Sequence, residues 1–176
     1  MDKALFGFVG IRELFNTHPM FVHFPLALIP TTLLFYFLGI VLKRPPLNAA
    51  GRACLYVALA GTLLAVYTGL HAMESFPHND IIHHMAQTHK QIAFWTLGLL
   101  ALLSLWSFWR TERGPRGALA FLAVLGFVTY LVAQAGDIGA RMVYVQGAAV
   151  KPAIAVVASP DEIKEFNEPG SHHNDD

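Results

Sequence analysis

The nine histidines are the side chains of this sequence best suited to chemistry. Imidazole titrates near neutrality and ligates haem iron, copper or zinc through a neutral ring nitrogen. His18 and His23 fall in HPMFVHFPLAL, His71 in TGLHAM, and His89 in QTHKQIAFW. His78, His83 and His84 lie between the last two of these motifs, and His172 and His173 lie near the C-terminus. His23, His71 and His89 stand out because each sits in or against an apolar helical run, where a polar ring without a partner is costly. These three are the first candidates for metal or cofactor ligands, followed by His84 and His18. His78, His172 and His173 sit among polar neighbours that suit simple hydration. Residues five apart on a helix point about 140° apart, so His18 and His23, or His84 and His89, do not face one centre together. Opposed ligands must come from different helices, and His23 with His89 is the expected pair.

Haem b asks for axial imidazoles, close-approach positions for its flat ring, and donors for its propionates. Gly61 and Gly69 share one helical face, Gly136 and Gly139 lie further along the chain, and Arg141, Tyr144 or Lys90 could meet propionates. No CxxCH is present, so covalent haem attachment is excluded. Structural zinc usually draws on several cysteines, and the chain has only Cys54. In Arg-Ala-Cys-Leu-Tyr that thiol has no acid or histidine to activate it and reads as a small apolar residue. Haem b is therefore the expected cofactor; copper or zinc, held for instance by His83, His84 and Glu74, is the alternative.

The elements that position these residues follow from composition. Of 176 residues, 55% are hydrophobic and 14% charged, against roughly 25% charged in a soluble domain. Residues 14–42, 53–73, 91–109 and 117–136 contain no Asp, Glu, Lys or Arg. Each stretch approaches or exceeds the roughly 20 residues that cross a bilayer. An all-α, four-helix transmembrane bundle is expected over residues 1–150, with spans at about 18–42, 53–73, 89–109 and 117–138. Pro19 and Pro25 open the first span, Pro30 kinks it, and Pro45 and Pro46 end it. The third span starts near Asn79 or Asp80, and Trp106, Phe108 and Trp109 form an aromatic belt before Arg110. Leu5, Phe6, Val9, Leu14 and Phe15 are spaced as one face of an N-terminal interfacial helix.

Lys43, Arg44 and Arg52 fill one inter-span segment and Arg110, Arg113 and Arg116 another, while the central segment has only Lys90. By the positive-inside rule the two arginine-bearing loops are cytoplasmic. Both termini and all nine histidines then lie on the periplasmic side of a bacterial inner membrane. Equal numbers of acidic and basic residues, 12 of each, remove the electrostatic attraction on which nucleic-acid binding depends. Walker, GxGxxG, HExxH and GxSxG motifs are absent, so soluble-enzyme readings lack support.

HPMFVHFPLALIP, with His23, Phe24 and Pro25, the His89 segment, and GDIGARMVYVQGAAV, with Gly136, Gly139, Val143, Tyr144 and Gly147, resemble a bacterial membrane-protein family known as domain of unknown function 2231. The resemblance covers roughly residues 16–150. It departs from the family's usual Gly-Gly-x-Leu-Val-Tyr ending at Ala140 and Met142. It implies a four-helix membrane protein often encoded beside redox proteins, and hence a haem or electron-transfer role.

Beyond Gly147 the composition changes. Ser159-Pro160-Asp161-Glu162 is a capped helix start, so residues 151–176 read as a periplasmic tail with one short helix. Residues 137–176 carry seven acidic and three basic side chains, which suits docking onto a partner surface. The expected function is a b-type cytochrome-like subunit or anchor of an electron-transfer complex. Its haem lies near the periplasmic face, and its partners are redox subunits or a c-type cytochrome. The alternatives are a cofactor-free structural subunit of a respiratory or photosynthetic complex, or a copper or zinc site.

Overall fold

A computed structural model describes residues 17–73, 80–111 and 114–148. Helices α1 (His18–Phe21), α2 (His23–Val41), α3 (Pro45–Ala72), α4 (Asp80–Trp106) and α5 (Ala118–Tyr144) account for most of them, and strands β1 (Arg110–Thr111) and β2 (Gly114–Pro115) pair antiparallel between α4 and α5. The expected interfacial helix, the tail from Lys151 with its short helix, and Glu74, His78, His172 and His173 lie outside the described residues.

Proline decides where the first span breaks. Pro25 has no N–H to give Phe21, four residues back, and its ring crowds that carbonyl. The helix accordingly yields at Val22, between α1 and α2, while Val22 N–H still donates to His18 O at 3.3 Å. Pro45 and Pro46, expected to close the first span, instead open α3, where the missing donors cost nothing. Gly51 lies inside α3, buried against Tyr36.

Three helical stretches, His18–Val41, Pro45–Ala72 and Ala118–Tyr144, are long and apolar enough to cross a membrane. The expected third span, at about 89–109, falls on α4, a helix of 27 residues. The polar run HHMAQTHKQ in its first half keeps it short of the same apolarity.

α2 packs on α3, α3 on α4, α4 on α5, and α5 back on α2, so α2 and α4 face each other across the diagonal of the bundle. Pro25, Ile29, Thr32 and Tyr36 of α2 are buried, as are Phe121, Leu125, Val128 and Val132 of α5. Their spacing of alternating fours and threes is that of helices packed nearly parallel. Ile29, Leu55, Leu100, Leu103, Phe121, Leu125 and Val128 are fully enclosed. The outer surface carries Leu34, Phe37, Leu63, Trp95, Leu102, Leu105 and Phe127, all exposed. An apolar exterior around an apolar core is the arrangement a lipid solvent permits.

One end of the bundle is closed by the hairpin. Gly117, at φ 67°, turns the chain into α5, and Trp106 Nε1 donates to Arg116 O at 2.9 Å. The Trp106 ring meets Phe121 edge-on, with centroids 5.7 Å apart. At the same end Tyr56 and Ser107 share a 2.8 Å hydrogen bond between α3 and the residue after α4. The opposite end carries the histidines.

Candidate functional site

His18 opens α1, and His89 lies in the third turn of α4. The two helical stretches stand across the bundle diagonal, so their side chains can meet near its axis. The rings do so, with centroids 6.2 Å apart and planes at 89°.

Each ring is anchored on a neighbouring helix. His18 Nδ1 lies 3.0 Å from Ala65 O and 3.3 Å from Thr68 Oγ1, both on α3. Thr68 Oγ1 gives its own hydrogen to Leu64 O at 2.8 Å, so toward His18 it acts as an acceptor. His89 Nδ1 lies 3.0 Å from Ala135 O of α5. A carbonyl oxygen can only accept, so Nδ1 is the protonated nitrogen in both rings and the lone pair of the neutral imidazole sits on Nε2. Protein ligands of metals commonly have this arrangement, one ring nitrogen held by a backbone carbonyl and the other offering its lone pair.

The backbone has to admit a ring this close. A Cβ at Gly69 would stand 2.9 Å from His18 Cε1 and 3.2 Å from its Nδ1, so only glycine leaves room. At Gly139 the corresponding Cβ would stand 3.7 Å from His89 Cε1, an ordinary contact. Gly61, expected as a second close-approach position, is filled by Phe24, and Gly136 by Leu26.

The structure brings His18, rather than His23, onto His89. His23 is exposed on α2. His71 is exposed too; its Nδ1 is bonded to Tyr67 O of its own helix at 2.9 Å, and its ring lies 4.6 Å from that of Tyr67. His83 and His84 are exposed, with rings 6.4 Å apart, and Gln87 Nε2 lies 3.4 Å from His83 Nε2. Arg141 and Tyr144 are exposed on α5. Among the described residues no group of three or more His, Cys, Asp and Glu side chains is placed to hold a metal ion.

The seat residues Ala65, Thr68 and Ala135 did not figure among the expected site residues. The signal that could have found them is Ala-x-x-x-Gly, present as AVYTG at 65–69 and AGDIG at 135–139.

The sequence model of one family, described as predicted membrane protein (DUF2231), matches residues 15–152. That range takes in the four long helices and both rings. No curated protein and no solved structure matches the chain.

Proposed function

The chain belongs to the DUF2231 family of membrane proteins, and from that premise we propose that it is the membrane-embedded, b-type cytochrome-like subunit or anchor of a bacterial electron-transfer complex. His18 and His89 would hold haem b. The observation that carries this reading is the pair of imidazoles from diagonal helices meeting edge-on with ring centres 6.2 Å apart, each tethered through Nδ1.

Ligand number favours haem. A bare zinc ion takes three or four protein ligands, whereas porphyrin supplies four nitrogens and leaves two positions for the protein. The two rings that the structure brings together match the number that haem asks for. When bound, haem supplies one-electron chemistry. The protein's own part is to hold two neutral rings in one tautomer and, through the surrounding helices, to exclude water.

The basic loops at Lys43, Arg44 and Arg52 and at Arg110, Arg113 and Arg116 support a bacterial inner-membrane location with both termini and the histidines periplasmic. A single centre near one face does not span the bilayer. The partner that such a centre would serve therefore lies at that face, an adjoining redox subunit or a periplasmic c-type cytochrome.

The test is a reduced-minus-oxidised spectrum of the protein purified in mild detergent, with haem quantified per chain. One haem b is expected. His18→Ala and His89→Ala lose it, whereas His23→Ala and His71→Ala keep it. A colourless wild-type protein with stoichiometric copper or zinc would establish the metal-ion alternative, and one without metal the structural-subunit alternative. Haem retained in the His18/His89 double variant would overturn the ligand assignment.

A further inference from the structure

The two anchored rings are built by the same device used twice. His18 reaches a carbonyl 47 residues on, and His89 reaches one 46 residues on. Each acceptor is the alanine of an Ala-x-x-x-Gly segment, and the glycine four residues later faces the ring. The likeness extends along the helices. Pro25, Ile29, Thr32 and Tyr36 are four of the five buried positions of α2, and the residues 71 further on (96 − 25), namely Thr96, Leu100, Leu103 and Ser107, are buried as well. Leu55, Ala58 and Thr62 of α3 are buried, and so are their counterparts 70 further on (125 − 55), Leu125, Val128 and Val132. Pairing agrees: α2 with α3 and α4 with α5 form two hairpins, and each hairpin's first helix also packs on the other's second.

We infer that the bundle is two copies of one helical hairpin, related by a pseudo-two-fold axis along the bundle, that each copy seats one imidazole on that axis, and that Gly69 is the positioning residue for His18. The seat is a property of the protein alone; only its use for haem rests on the function proposed above. His18 and His89, as equivalent residues of the two copies, would hold a porphyrin as a matched pair.

The copies differ in tightness, and the difference makes the inference testable. At position 69 an added methyl collides with His18, while at 139 it meets His89 at contact distance. Gly69→Ala therefore drives His18 off Ala65 O, and Gly139→Ala leaves His89 in place. The measurement is the imidazole nitrogen spectrum of the haem-free full chain labelled with ¹⁵N-histidine in detergent, its signals assigned with His18→Gln and His89→Gln. In the wild type both rings show protonated, bonded Nδ1. Gly69→Ala is expected to send the His18 signals toward a solvated tautomer mixture with His89 unmoved, and Gly139→Ala to move neither.

Should Gly69→Ala not accumulate, Thr68→Val removes the acceptor at 3.3 Å and is expected to shift the His18 signals alone. In haem-loaded protein, Gly69→Ala is expected to weaken haem retention about 10- to 100-fold, the range for losing the hydrogen-bond partner of a ligating histidine. Unchanged His18 signals in Gly69→Ala, or in Thr68→Val where that variant stands in, would overturn the inference. So would displacement of His89 by Gly139→Ala as large as that of His18 by Gly69→Ala. A wild-type protein without haem that gives the expected nitrogen spectra would overturn the functional reading and leave the seat standing.

Discussion

A ring at the hairpin end shows how packing is read in this molecule. Phe121 is fully enclosed, with Tyr36 edge-on at 4.9 Å and Trp106 at 5.7 Å. In water, its truncation would cost both transfer from solvent and a cavity. In lipid the unfolded reference is also apolar, so only the cavity remains. Emptying roughly 100 Å3 at about 24 cal/mol per Å3 gives about 2.4 kcal/mol, so Phe121→Ala should be destabilised by about 2–3 kcal/mol. Equilibrium unfolding in mixed detergent micelles checks this, and a loss under about 0.5 kcal/mol would mean that the ring is not packed as described. The histidines are legible in sequence as a one-sided set, but their pairing is not. His23 lies deeper in the apolar run and draws attention as the costlier ring to bury, yet it is exposed. His18 pays for burial through a carbonyl on another helix, and that partner depends on the register of α3, which no local pattern reveals.

The breaks decide what the helices can do. Because Pro25 lacks an N–H, the helical ladder is interrupted at Val22, whose backbone stays helical at φ −64° and ψ −22°, between α1 with His18 and α2. Pro25→Ala restores a donor to Phe21 O and favours one continuous helix. The expected outcome is a shifted His18 imidazole signal with global stability changed by no more than about 1 kcal/mol, since alanine suits a helix and gains one hydrogen bond. An unmoved His18 signal would show that the break does not aim the ring. The spans at α2, α3 and α5 were legible because nothing interrupts their apolarity. α4 was legible only from its second half, as its first two turns carry Asp80, His83, His84 and Gln87. The start of α3 at Pro45 was not legible. A proline pair closes a helix as readily as it opens one, and only the extended backbone of Arg44, at φ −109° and ψ 97°, marks which applies here.

Across the whole molecule the helices run up and down, which leaves Thr17, residues 73 and 80, and Ala148 at one end and Lys43 and Arg116 at the other. Single cysteines introduced into a Cys54→Ala background test the proposed orientation. Gln146→Cys should react with a membrane-impermeant maleimide in intact spheroplasts, whereas Lys43→Cys and Arg116→Cys should react only after permeabilisation. The reverse pattern would invert the topology. The diagonal meeting of His18 and His89 also sets an order of events during synthesis. The two residues are 71 apart (89 − 18), and at about 5–20 residues per second the second ring follows the first by about 4–14 s. Ala65 itself follows His18 by 47 residues, so for the last 24 of the 71 (89 − 65), about 1–5 s, the leading hairpin can rest in the bilayer with its imidazole against Ala65 and nothing opposite. Closure of the site then waits for the trailing hairpin, so it is a docking of two inserted pieces, timed by translation.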